Sequence, residues 1–414
     1  MGMKKTVRGW ISAAPFVKVR HFLGHRRDDL EYFLEYPALY RREARRPVEE
    51  NKVVMIEVRL EGISNNFTLL HRELTGTYGL DVHVHHLRTG FVGHREYRRR
   101  CRALIRDLAT AKYVLINEGS LVLSCLPLRK ETVCVQTWHA CGAFKRFGMS
   151  TGKYLFGMDE KRQRRHPQYR GYTFATVSSP EVVWAYAEAF DMKEMDYEKV
   201  IRPLGVSRTD IYFDPAARDR AFAHLYQAFP AARGKKVILY APTFRGRVAD
   251  GITADRLDAE AFYRALGEEY VLITKHHPVT KKLPELPEEL VGSFVYDATR
   301  SLSIEDLLLV SDVCISDYSS LIYEYSLLER PMLFFAYDLE EYYDWRGFYY
   351  SYEELTPGPV CRTNEELIDW IAHLEERFDR QQVIDFKDRF MSACDGHATE
   401  RILKEMKVAE GSTV

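Results

Sequence analysis

No run of about 18 apolar residues occurs anywhere in this chain, so no single helix of it is expected to cross a bilayer. The first residues also lack the apolar stretch of a secretory signal. Its seven cysteines are scattered, with no C-x-x-C pair and no ligand-like spacing. That pattern excludes a zinc module or a disulfide scaffold and leads to the expectation of a reduced, cytoplasmic protein. There is no D-x-D pair of the kind that often holds a metal and a diphosphate, so neither a metal nor another cofactor is expected. A formal net charge of −1 excludes a globally basic protein, and no nucleic-acid partner is expected. One local shortage points elsewhere. No acid precedes Asp28, while Lys4, Lys5, Arg8, Lys18, Arg20, Arg26 and Arg27 interleave with Trp10, Ile11, Phe16, Val17 and Phe22. Such a basic amphipathic segment suits the headgroup region of an anionic membrane, and equally a helix docked on its own protein.

What the chain does have is length and alternation. Its 414 residues, 46% of them hydrophobic, exceed one ordinary core and fit two. From Asn51 onward, β-rich runs ("KVVMIEVRL", "LDVHVHHL", "KYVLIN", "TVCVQTW", "FATVSS") alternate with stretches of helical period. The alternation resets after "RPLGVSRTDIYFDPAARD" and continues through "KKVILYAP", "YVLITKHHP", "SFVYDAT", "SDVCISDYSS" and "RPMLFFAYD". Two successive units of this kind predict an α/β protein built from two doubly wound, Rossmann-like parallel sheets facing each other across a cleft. The expected division is a basic segment at 1–50, a first α/β domain at 51–207, a second at 208–390, and a helical tail at 391–414 able to pack back on the first domain.

Ligands of open α/β sheets bind beyond the carboxyl ends of the strands. The polar residues at those ends are His139 after "VCVQTW", Ser178 and Ser179 after "FATV", Thr243 and Arg245 after "VILYAP", His277 after "VLITKH", and Asp317, Ser319 and Ser320 after "VCIS". "SDYSSLIYEYSLLER" reads as a strand end entering a helix with Ser319 or Ser320 at its N-cap, a place where free N–H groups suit a phosphate. Plain N-capping accounts for the same residues. Glu324, one turn deeper, could accept from a ribose hydroxyl. Thr243, Arg245 and Arg247 could meet phosphate oxygens, or could form a surface turn. Of the histidines in "TKHHP", His277 is expected to face the cleft, held extended by Pro278. After His139 the chain turns to small residues and then to Lys145 and Arg146. His83, His85, His86 and His94 read as a solvated edge, since no nearby carboxylate completes a metal site.

Several of these stretches together resemble a known family, the CDP-glycerol glycerophosphotransferases of teichoic-acid and related capsule synthesis. They are "QTWHACGAFKRFG", "LGVSRTDIYFD", "ILYAPTFRG", "LITKHHP", "SDVCISDYSSLIYEYSLLERPMLFFAYDLEEYY", "RGFYYSYEELTPGP" and "CDGHATERI", in the family's order and covering most of the chain after about residue 110. The resemblance implies a GT-B-like fold. It also implies transfer of glycerol phosphate or ribitol phosphate from a CDP-activated donor to the hydroxyl of a lipid-linked, anionic acceptor, with release of CMP, at the inner face of the cell membrane. The family's two active histidines fall on His139 and His277, and its donor-phosphate serines on Ser319 and Ser320. Where the family often reads W-H-G-T-P-L-K, this chain has Ala140, Cys141, Gly142, Ala143 and Phe144 before Lys145, a departure that bears on acceptor and polyol.

These residues combine into an expected mechanism. His139 is the general base; His277, Thr243, Arg245, Ser319 and Ser320 hold the donor diphosphate, Glu324 the ribose, and Lys145 and Arg146 the acceptor's phosphates. A nucleotide-sugar glycosyltransferase of the same fold, or a noncatalytic nucleotide-binding partner of a membrane-bound assembly line, remains an alternative.

Overall fold

Valine, isoleucine and leucine dominate the expected strands because parallel sheets are covered on both faces, and the structure shows two such sheets. It is a computed structural model that describes residues 26–408 except 153, 155–159, 193–194, 246–255, 278–279 and 281. The amino-terminal half of the basic segment, Arg247 and Pro278 therefore lie outside the described residues.

The first sheet contains β1 (Glu49–Glu57), β2 (Asp81–His86), β3 (Ala111–Ile116), β4 (Val133–Gln136), β5 (Phe174–Thr176) and β6 (Ile201–Arg202), in the spatial order β2-β1-β3-β4-β5-β6. The second contains β7 (Lys236–Tyr240), β8 (Tyr270–Thr274), β9 (Val295–Asp297), β10 (Val313–Ser316), β11 (Met332–Phe335) and β12 (Val360–Cys361), in the order β12-β11-β10-β7-β8-β9. Every pairing within them is parallel. The sequence order thus reverses between β1 and β3 in one sheet and between β7 and β10 in the other. Crevices open at such switch points.

Helices cover the faces by ordinary amphipathic logic. In His94–Leu108 the buried positions are Cys101, Leu104, Ile105 and Leu108, the 3–1–3 spacing of one helical face. Each of its buried leucines and isoleucine contributes about 1.5–3 kcal/mol relative to exposure.

The two halves share a core. Trp138, Phe144, Tyr186 and Phe190 from the first pack in one buried cluster with Tyr318, Tyr323, Phe348, Tyr352, Phe386 and Phe390 from the rest of the chain. Backbone joins them as well: Lys145 forms an antiparallel bridge with Phe348, Arg146 N donates to Gly347 O (3.2 Å), and Tyr349 N donates to Phe144 O (3.1 Å). The chain end returns to the first half. Ile402, Leu403 and Met406 pack against Val53, Met55, Phe67 and Tyr113, and Ala393 N donates to Ser178 O at 2.9 Å. Gly205 permits this crossing: its φ is +89°, and a Cβ there would lie 2.1 Å from Ala393 O.

Candidate active site

At the first switch point, β1 ends in Glu57 and β3 runs into Asn117. Asn117 Nδ2 donates to Glu57 Oε2 (3.0 Å) and to Ser64 Oγ (3.0 Å), and Ser64 N donates to the other Glu57 oxygen at 2.6 Å. This closed group holds the Asn117 backbone, whose carbonyl lies 3.0 Å from His139 Nδ1. A carbonyl only accepts, so Nδ1 carries the proton and Nε2 keeps its lone pair.

The loop that delivers His139 is strained and tightly tied. Trp138 has φ +56°, a conformation that costs a non-glycine residue on the order of 1–3 kcal/mol and persists only where surroundings impose it. The imposing groups are visible: Trp138 N donates to Gln136 Oε1 (2.9 Å), while Gln136 Nε2 donates to Glu118 O and to Tyr172 Oη, both at 3.0 Å. Further on, Tyr186 Oη donates to the carbonyls of Ala140 and Gly142, and Gly142 N donates to Ser178 Oγ. His139 is exposed as a residue, while its ring lies 4.3 Å from that of Trp138. The protein around it lowers its pKa to about 4, chiefly by burial; the bond to Asn117 opposes the fall, and the charges of Arg208 and Arg59 add to it. His139 is therefore unprotonated at neutral pH.

At the second switch point, β7 leads to Thr243 and Arg245, and β10 to Asp317. Asp317 is buried and accepts from Thr243 N (2.9 and 3.1 Å), Thr243 Oγ1 (2.8 Å), Tyr318 N (2.6 Å) and Arg245 Nη1 (2.8 Å). Arg245 then grips Asp338, through Nε at 2.6 Å and Nη2 at 3.0 Å, among the rings of Tyr318, Tyr337 and Tyr342. The expected diphosphate clamp is thus, in this structure, a knot that ties three loops together. Each nitrogen of the Arg245 guanidinium already donates to protein oxygen.

Beside the knot, Ser319 and Ser320 are half-buried at the start of Leu321–Ser326. Ser319 Oγ accepts from Leu321 N at a long 3.4 Å, and Ser320, at the N-cap, makes no side-chain cap bond. Glu324, expected at a ribose, is buried and paired with Arg208, while its Oε2 has no partner. The two "TKHHP" histidines part as alternation requires. His276 is buried beside a cavity of about 260 Å³ lined also by Tyr240, Thr274 and Leu286, and His277 is exposed with its ring 4.9 Å from Phe244. Lys145 Nζ donates to Tyr342 Oη (3.2 Å), and Arg146 pairs with Glu188 (3.1 Å) over the Tyr349 ring, so both cations lie along the seam between the halves.

Residues 38–407 match the family model of CDP-glycerol:poly(glycerophosphate) glycerophosphotransferases. The chain belongs to this family. Transfer of polyol phosphate from a CDP-activated donor, expected from the motifs, is the chemistry of that membership. Among curated relatives, the teichoic acid ribitol-phosphate primase of Bacillus spizizenii is 35% identical over 362 residues, covering 86% of this chain and 90% of that protein. The teichoic acid poly(ribitol-phosphate) polymerase of the same organism is 34% identical over 362 residues, 87% of this chain but 56% of the polymerase. This chain thus spans nearly all of the primase and little more than half of the polymerase. The solved wall teichoic acid polymerase TagF shares the fold, with a TM-score of 0.71 over 94% of this chain and 96% of that one at 21% identity.

Four further side chains around these strand ends are not among the residues expected from the sequence. Glu57, Asn117 and Asp338 bond to partners far off in sequence, and Arg208, within the quoted "LGVSRTD" stretch, pairs not with nearby Asp210 but with Glu324, 116 residues on. The edge histidines also differ from expectation: His83 meets Asp81 of its own strand (2.9 Å) and Asp107 (3.3 Å), and His85 meets Asp107 (2.7 Å), a carboxylate the fold brings in from the helix His94–Leu108.

Proposed function

We propose that the protein adds glycerol phosphate or ribitol phosphate to the terminal hydroxyl of a lipid-linked, anionic acceptor, with His139 as the base. The observation that carries this reading is the hydrogen bond from His139 Nδ1 to Asn117 O, which leaves an unprotonated Nε2 at the end of β4. The acceptor hydroxyl gives its proton to that nitrogen as its oxygen attacks the donor phosphorus that bears the polyol. The bond from this phosphorus to the CMP oxygen breaks, and CMP departs. Positioned proton transfer of this kind contributes typically about 10²–10⁴-fold.

On the donor side, the hydroxyls of Ser319 and Ser320, with His277, are assigned to the diphosphate. Thr243 and Arg245 hold the serine loop in shape through Asp317 and Asp338, so their contribution to donor binding is one of framing. Lys145 and Arg146 are assigned to acceptor phosphates at the seam. Of the two polyols, ribitol is favoured by the 35% identity to a ribitol-phosphate primase over nine-tenths of its length.

The described part of the amino-terminal segment supports a place on an anionic membrane surface at its cytoplasmic face. Leu30, Phe33 and Leu34 are 55%, 49% and 63% exposed, and Arg162 and Arg165 lie alongside, paired with Asp28 and Asp29. No described helix is long and apolar enough to cross a bilayer. Incubation with CDP-glycerol and CDP-ribitol separately over a panel of lipid-linked acceptors, with mass spectrometry of the products, tests the reading. The expected product gains one or more polyol phosphates with stoichiometric CMP; an acetal-linked sugar from a nucleotide-sugar donor, or no turnover with either CDP compound, overturns it.

A further inference from the structure

Glu57 ends β1 and Asn117 follows β3, and the last paired residues of the two strands, Ile56 and Ile116, set them side by side at the first switch point. Glu57 is 1% exposed, and both of its carboxylate oxygens accept: one from Ser64 N at 2.6 Å, the other from Asn117 Nδ2 at 3.0 Å. Neither donor is charged. Burying a carboxylate against neutral donors alone is an unfavourable way to join two strand ends, and its place in the sheet accounts for it better.

Two further local rules are broken at the same spot. Ser64 is the N-cap of the helix Asn65–Arg72, yet its hydroxyl makes no cap bond and accepts from Asn117 Nδ2 at 3.0 Å instead. Asn117 Nδ2 donates to Glu57 and to Ser64, while the buried Oδ1 of the same amide has no partner. Such departures from local stability concentrate where a functional group is being held. What is held is the Asn117 backbone. Its carbonyl lies 3.0 Å from His139 Nδ1, and the imidazole packs against the Trp138 ring at 4.3 Å. The carbonyl fixes the tautomer of the imidazole and, together with the indole, its rotation.

We propose that Glu57 is a positioning residue of the transfer reaction: through the side chain of Asn117 it holds the carbonyl that keeps His139 turned with Nε2 free. This rests on the reading of His139 as base and deepens it. A carboxylate is required here rather than an amide of the same shape, because two N–H donors face its two oxygens. Glutamine offers one acceptor oxygen and turns an NH2 group towards the other donor.

The test uses the full chain, with CMP release from CDP-glycerol and CDP-ribitol measured over lipid-linked acceptors and folding checked by circular dichroism. E57Q should lower kcat about 10- to 100-fold by letting the base drift from its place. Affinity for the donor, measured by calorimetry, should stay at the parent's value, since the donor residues belong to the other sheet. The decisive readout is the combination with H139Q. A residue that acts only through His139 has nothing left to position there, so E57Q/H139Q should turn over within about twofold of H139Q. In the exchange E57Q/N117D, the amide of residue 57 donates to a carboxylate at 117 and Ser64 N keeps its acceptor, so kcat should recover to within a few-fold of the parent. In ¹⁵N-histidine spectra, with the His139 signals assigned by their loss in H139Q, the parent should show Nδ1 protonated and Nε2 bare, and E57Q a mixture of the two tautomers. The proposal is overturned if folded E57Q keeps the parent kcat, or if its loss persists in full beside H139Q. Should E57Q fail to fold, S64A removes one acceptor of the Asn117 amide and leaves the carboxylate in place. A loss in S64A that vanishes beside H139Q supports the proposal, and an unchanged kcat or a loss that persists overturns it. Full turnover by H139Q would instead remove the base reading, and the tautomer signals would still report on the hold of Glu57 over the ring.

Discussion

Replacing Arg245 by alanine separates two roles that both assign it importance. A direct diphosphate ligand would lose affinity for CDP-glycerol far more than for cytidine, with stability nearly unchanged. The structure leads elsewhere. The side chain donates to Asp338 through two nitrogens, to Asp317 at 2.8 Å, and to the Thr243 carbonyl at 2.7 Å, and is itself only 15% exposed. Its removal leaves two carboxylates without their cation. Breaking one side of a buried pair costs roughly 3–5 kcal/mol. Asp317 keeps three donors from Thr243 and Tyr318, and Asp338 is 20% exposed, so the lower end applies, about 3 kcal/mol. Stacking over three tyrosine rings adds an estimated 0.5–2 kcal/mol, about the range for a partly desolvated cation. Urea unfolding followed by circular dichroism measures the first quantity, and calorimetry with cytidine and with CDP-glycerol the second. The expected outcome is a loss of some 3–5 kcal/mol in stability, with binding of CDP-glycerol weakened through displacement of Ser319 and Ser320. A variant as stable as the parent that has lost only the diphosphate increment would refute the framing role and restore Arg245 as a direct ligand.

H139Q should lower kcat about 10²–10⁴-fold with donor binding retained, as single-turnover and calorimetric measurements would show. The pH dependence follows from the sign of the shift: the folded pKa lies below the ordinary 6.5, so the unfolded chain binds the proton first. Stability conferred by neutral His139 is complete above pH 6.5 and is lost as pH falls towards about 4, a loss that H139Q should lack in parallel melts. G142A places a methyl group against the Tyr323 ring at a positive φ and should cost about 2–4 kcal/mol by denaturant titration; a change under 1 kcal/mol would mean that this contact relaxes freely. Replacing exposed Leu34 by glutamate should weaken cosedimentation with anionic liposomes at low salt while leaving turnover of a water-soluble acceptor analogue intact, and unchanged sedimentation would free this face from the membrane.

The two-sheet plan is written in the amino-acid pattern, because strands buried on both faces read as short apolar runs and the crossovers between parallel strands are usually helical. Ten of the twelve strands are legible in that way. β6 and β12 are not, since two residues at a sheet edge have no period to read. The polar residue after each strand was legible for the same reason: where the apolar run stops, the chain leaves the sheet at its carboxyl end, as at His139, Thr243, His277 and Asp317. What each of those side chains is bonded to was decided only in three dimensions. Arg245 finds Asp338 across 93 residues, Arg208 finds Glu324 across 116, and the proton on His139 is assigned by a carbonyl 22 residues earlier. Such pairs carry no local signature, because a parallel sheet brings together strand ends that long crossovers keep apart in the chain. Which carboxylate neutralises which cation then depends on strand order and on the packing of one half against the other, and these exist only in the folded molecule.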